Sequence, residues 1–594
     1  MCGIFSFISK KKLTNNNILM CRKATNLLKH RGPDGTGEWY DIKKGIYIGH
    51  QRLSIIDLSK KAKQPMKKHN LVLSYNGEIY NFNSLRNNLL KNNISFFSKS
   101  DSEVILSLWK KKGIRSLNIL DGMFSFLIWD GTSTWIARDK FGEKPLYYSI
   151  LNEGIYVSSE LKPLIKILKI KKIKNSKIVN SFLTLGYVPS PYTTYENTYS
   201  LNSGSFLKIS KGKIVKKKRY CNLEKDLKKI KKKSFEETFV DKFHEELIQS
   251  VKSRYFSDAE KCLFLSSGTD SSLIASIISK ELRKKIQCIT ISSNYQFDES
   301  KNAKKIANFL SLPHFVENYY SNNKILVNDF INLYSQPNDN LTILFVKKMS
   351  KIAKKLKYKV GITGNGGDEL TRGYLTQRFI YKYRYMYLIP EEIRKSLLYL
   401  LLPLKKINRK IDIYEKIFAI DDIFLYIALK NNPLINIYNK LPEFKEWCSD
   451  TFSNFKNHNL YEKSSFFDLI NVMPNSRLNC FDLGSMSEGI ELRSPFLNTK
   501  LFELYQSIKT DSILIKEPKY VLKEILKRYL PNELIFKYKK GFIYPFSDFI
   551  KNNNFSQNEI VLNRKIFKHK DKKSYSWQKL IIRKNILDKF FTNY

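Results

Sequence analysis

Residues 262–276 read CLFLSSGTDSSLIAS. A short apolar run enters a loop of serines, a glycine and an aspartate. A helical pattern follows, with apolar residues at 273, 274, 277 and 278, so the stretch predicts strand, loop, helix. The rhythm continues downstream. IQCITISS (286–293) reads as a strand, ESKNAKKIANFLSL (299–312) as a helix and YKVGITGNG (358–366) as a third strand. Strands that alternate with helices predict an α/β domain built on a parallel sheet. From about Tyr374 to Asn475 the pattern is mostly helical.

Upstream the rhythm differs. GIYIGHQRLSIIDLS (45–59), LVLSYNGEIYN (71–81), GMFSFLIWDG (122–131), STWIARD (133–139) and PLYYSI (145–150) read as strands and hairpins. Helical patterns are few there: Asn16–Lys29, Ser84–Asn92 and Ser102–Lys112. This predicts an α+β domain dominated by antiparallel sheet. The expected division is residues 2–215, a charged linker at 216–234 containing KDLKKIKKK (225–233), and residues 235–594. A chain of 594 residues calls for at least two cores.

The formal charge of +48 comes mostly from lysines scattered along the whole chain. Lysine, isoleucine, asparagine, tyrosine and phenylalanine are abundant together, as an AT-rich coding sequence would produce. No nucleic-acid partner is expected from such a distribution. The seven cysteines show no CxxC and no regular spacing, which argues against a disulfide framework or a zinc site and for a reducing, cytoplasmic setting. No signal peptide is read. The longest apolar stretch, SLLYLLLPL (Ser396–Leu404), is too short to span a bilayer. A buried helix is expected there, with no stable membrane insertion.

Two loops carry chemistry. Ser266–Ser272 lies between a strand and a helix start, where backbone N–H groups form an anion site. It lacks the G-K-[ST] of the usual nucleotide loop, and Asp270 suits a Mg²⁺ ion. VGITGNGGDELTRGY (360–374) is a second glycine-rich turn, with Asp368 and Glu369 at its exit. Two such loops at the carboxyl ends of parallel strands make a cradle for a metal-bound polyphosphate.

SSGTDSS resembles the pyrophosphate loop of ATP pyrophosphatases. Together with FDESKNAKKIA (297–307), TGNGGDELTRGY (363–374), GIELRSPFLN (489–498) and YKKGF (538–542), it makes the chain resemble glutamine-dependent asparagine synthetases. The front half is similar to their N-terminal-nucleophile glutaminase domain through MCGI (1–4), HRGPDG (30–35), GHQRLSIID (49–57), YNGEIYN (75–81), SDSEVIL (100–106), DGMFSF (121–126) and ARDKFGEKPLYY (137–148). The resemblance spans nearly the whole chain. It implies two antiparallel sheets between helices, followed by a parallel-sheet synthetase domain with a helical portion.

By the same resemblance Cys2 is the glutaminase nucleophile. Removal of Met1 would free an α-amine able to act as its base. Asn76 and the Gly77 N–H would line the oxyanion hole, although Asn-Gly by itself reads as a hairpin turn. Arg52 would fork onto the glutamine carboxylate, backbone at Leu53, Ser54, Ile55 and Ile56 would line the pocket, and Glu78 and Asp101 would hold the α-ammonium. HRGPDG is expected to be a structural turn beside Cys2. In the synthetase domain the resemblance assigns Leu265 and Ile291 to the nucleoside, and Ser266, Gly268 and Ser271 to pyrophosphate. Asp270 and Asp368 would take Mg²⁺, Thr363 and Gly364 a second nucleotide contact, and Lys519 the charge developing on phosphate.

The chain departs from the family at four positions. Ser267 stands where the family often has a second glycine, and a backbone N–H remains there. Asn365 stands where the family has a carboxylate, and Ser335 and Gln336 stand where it commonly has an acidic pair. An amide can orient a nucleophile but cannot accept its proton. The implied reaction joins ATP, glutamine and a carboxylate through an acyl-adenylate. Aspartate is the expected acceptor and a sugar uronate the alternative. A non-catalytic, binding member of the family is the reading from another class. A homodimer is left open.

Overall fold

A computed structural model describes residues 2–223, 230–293, 298–319, 327–401, 460–536, 546–555, 560–562, 565–567 and 575–592. The YKKGF motif, Cys448, most of the KDLKKIKKK run and part of the expected helical region lie outside the described residues.

The front half contains β1 (Gly3–Ser9), β2 (Gly35–Asp41), β3 (Ile46–Arg52), β4 (Met66–Lys68), β5 (Leu71–Ile79), β6 (Gly122–Trp129), β7 (Thr134–Arg138), β8 (Tyr147–Leu151), β9 (Gly154–Ser158), β10 (Thr198–Ser200), β11 (Ser205–Ser210) and β12 (Lys213–Arg219). They form two six-stranded sheets, in the orders β10-β8-β9-β1-β3-β2 and β12-β11-β7-β6-β5-β4, with antiparallel neighbours throughout.

Strand β1 shows why the sheets are sandwiched. All seven residues of GIFSFIS are buried, so both of its faces are covered. Ile8 joins Ile48, Val72, Leu127 and Val157 in the layer between the sheets. Phe5 and Phe7 point the other way, toward Ile18 and Ala24 of the helix Asn15–Asn26 and Leu164 of the helix Leu161–Leu168. On the second sheet Leu73, Phe124 and Phe126 meet Leu89 of the helix Phe82–Lys91 and Val104 and Leu108 of the helix Asp101–Lys112. The result is helix, sheet, sheet, helix, as expected. The helices Leu161–Leu168 and Ser176–Leu185 are additional to those read from sequence.

The boundary expected at 215/216 falls inside β12. Lys216–Arg219 pair with Ser205–Lys208 of β11, so these residues are sheet and not linker. Charge misleads here because this is an edge strand, and edge strands carry lysines to discourage pairing with other chains.

The second half is built on β13 (Lys261–Phe264), β14 (Gln287–Ser293), β15 (His314–Tyr319), β16 (Val360–Ile362) and β17 (Glu491–Arg493). All neighbours are parallel, in the order β15-β14-β13-β16-β17. The chain moves outward on one side of β13 and then returns to its other side. The carboxyl ends of β13 and β16 therefore flank the point where strand order reverses, which is where open α/β sheets bind ligands. Strands β15 and β17 were not read from sequence; β17 has only three residues and no periodicity to detect.

The buried helix expected at Ser396–Leu404 is not found where the chain is described. The helix Glu391–Leu401 leaves Leu397, Tyr399 and Leu400 exposed. Apolar residues run right round it, and one packed face covers only part of such a helix. Among the described residues no helix is long and apolar enough to cross a membrane. The six described cysteines carry free thiols.

Candidate functional site

Cys2 directly precedes β1, an interior strand of its sheet, and is 7% exposed. Its backbone N–H donates to Asn76 Oδ1 at 2.9 Å, and its thiol lies 4.0 Å from the Leu53 carbonyl. Asn76 and Gly77 are not a hairpin turn. They sit within β5, opposite Ser125 and Phe124 of β6. Gly77 has φ +151°, and a Cβ there would stand 2.1 Å from the Met123 carbonyl oxygen, so the position tolerates only glycine.

A recess of about 360 Å³ opens beside Cys2, with Arg52, Leu53, Ile55, Ile56, Gly77, Glu78 and Asp101 in its wall. Asn76 reaches it through the Cys2 amide. Ser54 is not in the wall; its N–H donates to Asp34 Oδ2 at 2.7 Å. The wall of the recess carries one guanidinium, Arg52, and the carboxyl groups of Glu78, Asp101 and Glu491. Arg52 donates to the Asp57 and Ser59 carbonyls. Asp101 Oδ2 accepts from the Tyr75 hydroxyl at 2.7 Å and the Ile79 N–H at 3.1 Å. Burial raises the pKa of Asp101, and burial with repulsion from Asp101 and Glu491 raises that of Glu78 against the pull of Arg493. Burial raises the Cys2 thiol as well, opposed by the positive chain terminus. The thiol therefore needs a base before it can attack.

Sequence reasoning missed three residues here. Glu491 lines the recess although it belongs to the second domain. Arg493, fully buried, donates from Nε to Glu491 at 2.7 Å and from NH2 to Glu78 at 2.9 Å. Arg31 of HRGPDG donates from Nε to the Cys2 carbonyl at 3.1 Å. It also pairs with Glu160 and with Asp482 of the second domain, each at 2.9 Å. The turn therefore positions the nucleophile. The signal for both arginines was their presence in recognised motifs, but only burial distinguishes a surface arginine from one bridging two domains.

The two loops of the second domain also meet. A Cβ on Gly364 would lie 2.8 Å from Asp270 Cβ, and one on Gly367 would lie 2.7 Å from Asp270 Cγ. Ser271 Oγ links to Ser266 Oγ at 2.8 Å, and Gly268 N–H donates to Ser266 Oγ at 3.2 Å, which holds the first loop's shape. Leu265 N–H donates to the Ile289 carbonyl, and Thr290 Oγ1 donates to the Leu265 carbonyl. Leu265 thus directly follows β13, beside β14, in which Ile291 lies two residues before the carboxyl end. Thr363 N–H donates to the Arg493 carbonyl at 2.9 Å.

Lys519 precedes a helix, yet it is not exposed. Its ammonium lies 2.6 Å from Asp270 and 2.7 Å from Asp368. Burial disfavours its charge, but the carboxylates outweigh burial and raise its pKa. Two carboxylates converging on one cation are a donor set that suits Mg²⁺. Among the described residues no cluster of three metal-ligating side chains occurs.

Asn365 faces a different space. With Thr363, Arg493 and Ser494 it lines a cavity of about 290 Å³ that also receives Glu143 and Lys144 of the first domain and Asp482. Ser494 Oγ donates to the Asn365 carbonyl. Ser335 and Gln336 are not in its wall. Gln336 is buried, and its Oε1 has no hydrogen-bond partner among the described residues.

An antiparallel two-sheet sandwich with a buried cysteine before its first strand, joined to a parallel-sheet domain with two converging loops, is the arrangement of a two-domain, glutamine-dependent amidotransferase. Family models agree: the glutamine amidotransferase domain matches residues 1–221 and asparagine synthase matches residues 242–591. The chain belongs to the asparagine synthase family. It is 32% identical over 423 residues to a putative glutamine-hydrolysing asparagine synthetase 2 of Methanocaldococcus jannaschii, covering 66% of this chain and 79% of that one. It is 27% identical over 583 residues to glutamine-hydrolysing asparagine synthetase 1 of Bacillus subtilis, covering 95% and 89%. An amidase of Gibberella zeae, chry2, is 27% identical over 406 residues, covering 63% and 59%. ATP is the expected energy source of this family.

Proposed function

We propose that the protein converts a carboxylate to its amide with nitrogen from glutamine and energy from ATP, and that aspartate is the acceptor. The observation that carries the reading is the recess at Cys2, whose wall holds both a guanidinium, Arg52, and the carboxyl groups of Glu78 and Asp101. An α-amino acid zwitterion fits it, with its carboxylate on Arg52 and its ammonium between Glu78 and Asp101.

Once Met1 is removed, the Cys2 α-amine takes the thiol proton. Sulfur attacks the glutamine amide carbon while Asn76 and the Gly77 N–H stabilise the oxyanion. Ammonia leaves with the proton, and water releases glutamate from the thioester. In the second domain the acceptor carboxylate attacks the α-phosphorus of ATP, giving an acyl-adenylate and pyrophosphate. Leu265 and Ile291 flank the nucleoside, Ser266, Gly268 and Ser271 grip phosphate, and Thr363 and Gly364 close the second side. Asp270 and Asp368 would hold Mg²⁺, which would shield phosphate charge. Lys519 supplies fixed positive charge between the loops. Ammonia then displaces AMP.

A second acceptor, a sugar uronate, is favoured by the uncharged Asn365 in the cavity wall. An acceptor with no ammonium to balance needs fewer carboxylates around it. The test is to supply ATP, Mg²⁺ and amide-labelled glutamine with aspartate or nucleotide-linked uronates, and to follow AMP and labelled amide. Labelled asparagine supports the first reading and labelled uronamide the second. Glutamate release with neither product, and no acceptor-dependent pyrophosphate, refutes both.

A further inference from the structure

The cavity at Asn365 carries four ionisable side chains, and three of them are paired. Lys144 and Asp482 lie 3.5 Å apart, Asp482 also binds Arg31, and Arg493 is held by Glu78 and Glu491. The fourth is Glu143, from the first domain's FGEK turn between β7 and β8. It is 6% exposed, and its N–H donates to Asp139 Oδ1 at 2.9 Å. Among the described residues no hydrogen bond or ion pair reaches its carboxylate. Its oxygens are not sealed in packed protein but open onto the cavity, where a reacting group could reach them.

We propose that Glu143 is the proton acceptor for nitrogen transfer, supplied by the first domain to the synthetase cavity in place of the carboxylate missing at position 365. This rests on the proposed function. Ammonia's lone pair forms the C–N bond at the acyl carbon, the carbon–oxygen bond to AMP breaks, and AMP leaves with that electron pair. The nitrogen must then lose one proton, which passes to the Glu143 carboxylate and later to water. Asn365, on the same wall, cannot accept that proton but can orient the nitrogen through its amide oxygen.

The surroundings tune Glu143 for this task. Burial, with repulsion from Asp139 and Asp121, pushes its pKa up to about 8 against Lys144 and Arg254. Tyr80 also senses its charge, while Asp482 and Arg493 face it across the cavity already neutralised by partners. A base whose pKa lies near working pH transfers protons most effectively. Roughly a tenth of the molecules are ionised at pH 7, and the fraction grows through pH 8.

The experiment uses the full chain with ATP, Mg²⁺ and ammonium chloride as nitrogen source, offering aspartate and a nucleotide-linked uronate. Glu143→Gln matches the protonated side chain in shape and keeps the fold. With the concentration of free ammonia held constant across the pH series, amide formation by the parent is expected to rise with pH through about 8. Glu143→Gln should lower it roughly a hundredfold and remove that rise, and Asn365→Asp in the Glu143→Gln background should restore part of the rate. Difference infrared spectra should show a protonated-carboxyl band at pH 7 that Glu143→Gln removes. A parent that makes amide alongside a Glu143→Gln variant of unchanged rate and pH profile overturns the role of Glu143 alone. A parent that makes no amide overturns the functional reading, and this role with it.

Discussion

Replacing Arg493 by methionine removes the only cation within ion-pair distance of both Glu78 and Glu491 among the described residues. The guanidinium is fully buried, with ion pairs of 2.9 and 2.7 Å and further donations to the Arg254 and Phe256 carbonyls. Methionine fills similar space but leaves two carboxylates facing each other away from water. Breaking one side of a buried ion pair costs about 3–5 kcal/mol, and that loss is expected in the unfolding free energy read from urea. A second effect falls on substrate. Glu78 already has a raised pKa, and losing Arg493 raises it further, so the glutamine ammonium loses counter-charge. The KM for glutamine should rise at least roughly tenfold, equivalent to about 1.4 kcal/mol. Adding Glu491→Gln should recover part of the stability, because one of the repelling charges is gone. A variant within about 1 kcal/mol of the parent and with unchanged glutamine KM would refute the assignment of Arg493 as the charge that organises this pocket.

Cys2→Ala should abolish glutamate release while leaving amide synthesis from ammonia, and mass spectrometry of active enzyme should find Met1 absent; loss of both nitrogen sources would contradict two separate sites. Lys519→Met should leave Asp270 and Asp368 mutually repelling and lower acceptor-dependent pyrophosphate release by roughly a hundredfold or more, with glutamate release unaffected. Glutamine affinity should weaken as pH falls through the raised pKa of Glu78, since protonation removes the charge its ligand needs; a flat KM between pH 5 and 8, measured by glutamate release, would argue against that carboxylate. Glu160 behaves oppositely. Burial would raise its pKa, but His30 and Arg31 lower it well below the ordinary carboxylate range. Its contribution is complete above the unfolded carboxylate pKa and is lost as pH falls through the depressed folded value, so Arg31→Leu should reduce stability at pH 7 by about 3–5 kcal/mol and flatten its acid dependence.

The parallel sheet was legible in CLFLSSGTDSSLIAS because an apolar run, a small-residue loop and a helical pattern follow each other within fifteen residues. The antiparallel sandwich was legible in the strand runs of the first half, and the loops at Ser266 and Thr363 in their composition. Strand β17 was not, since three residues carry no period. The edge strand β12 read as linker because its lysines serve solubility and not pairing. Asn76-Gly77 had the composition of a turn, and only its register with Ser125 and Phe124 shows that the pair lies within a sheet.

Sequence order alone therefore determined which local units form and which residue types each could offer to chemistry: a cysteine at the start of a buried strand, serines and an aspartate at a helix start, an asparagine where a carboxylate was expected. The tertiary structure decided how those units share charge. Arg31, Glu491 and Arg493 acquire their partners across about 450 residues in the longest case, Arg31 to Asp482, and Glu143 reaches a cavity of the other domain. Periodicity reports which face of a segment is buried. It cannot report which charge from a distant segment is buried against it, because an ion pair depends on distance in space and on exclusion of water, and both arise only when the two domains pack.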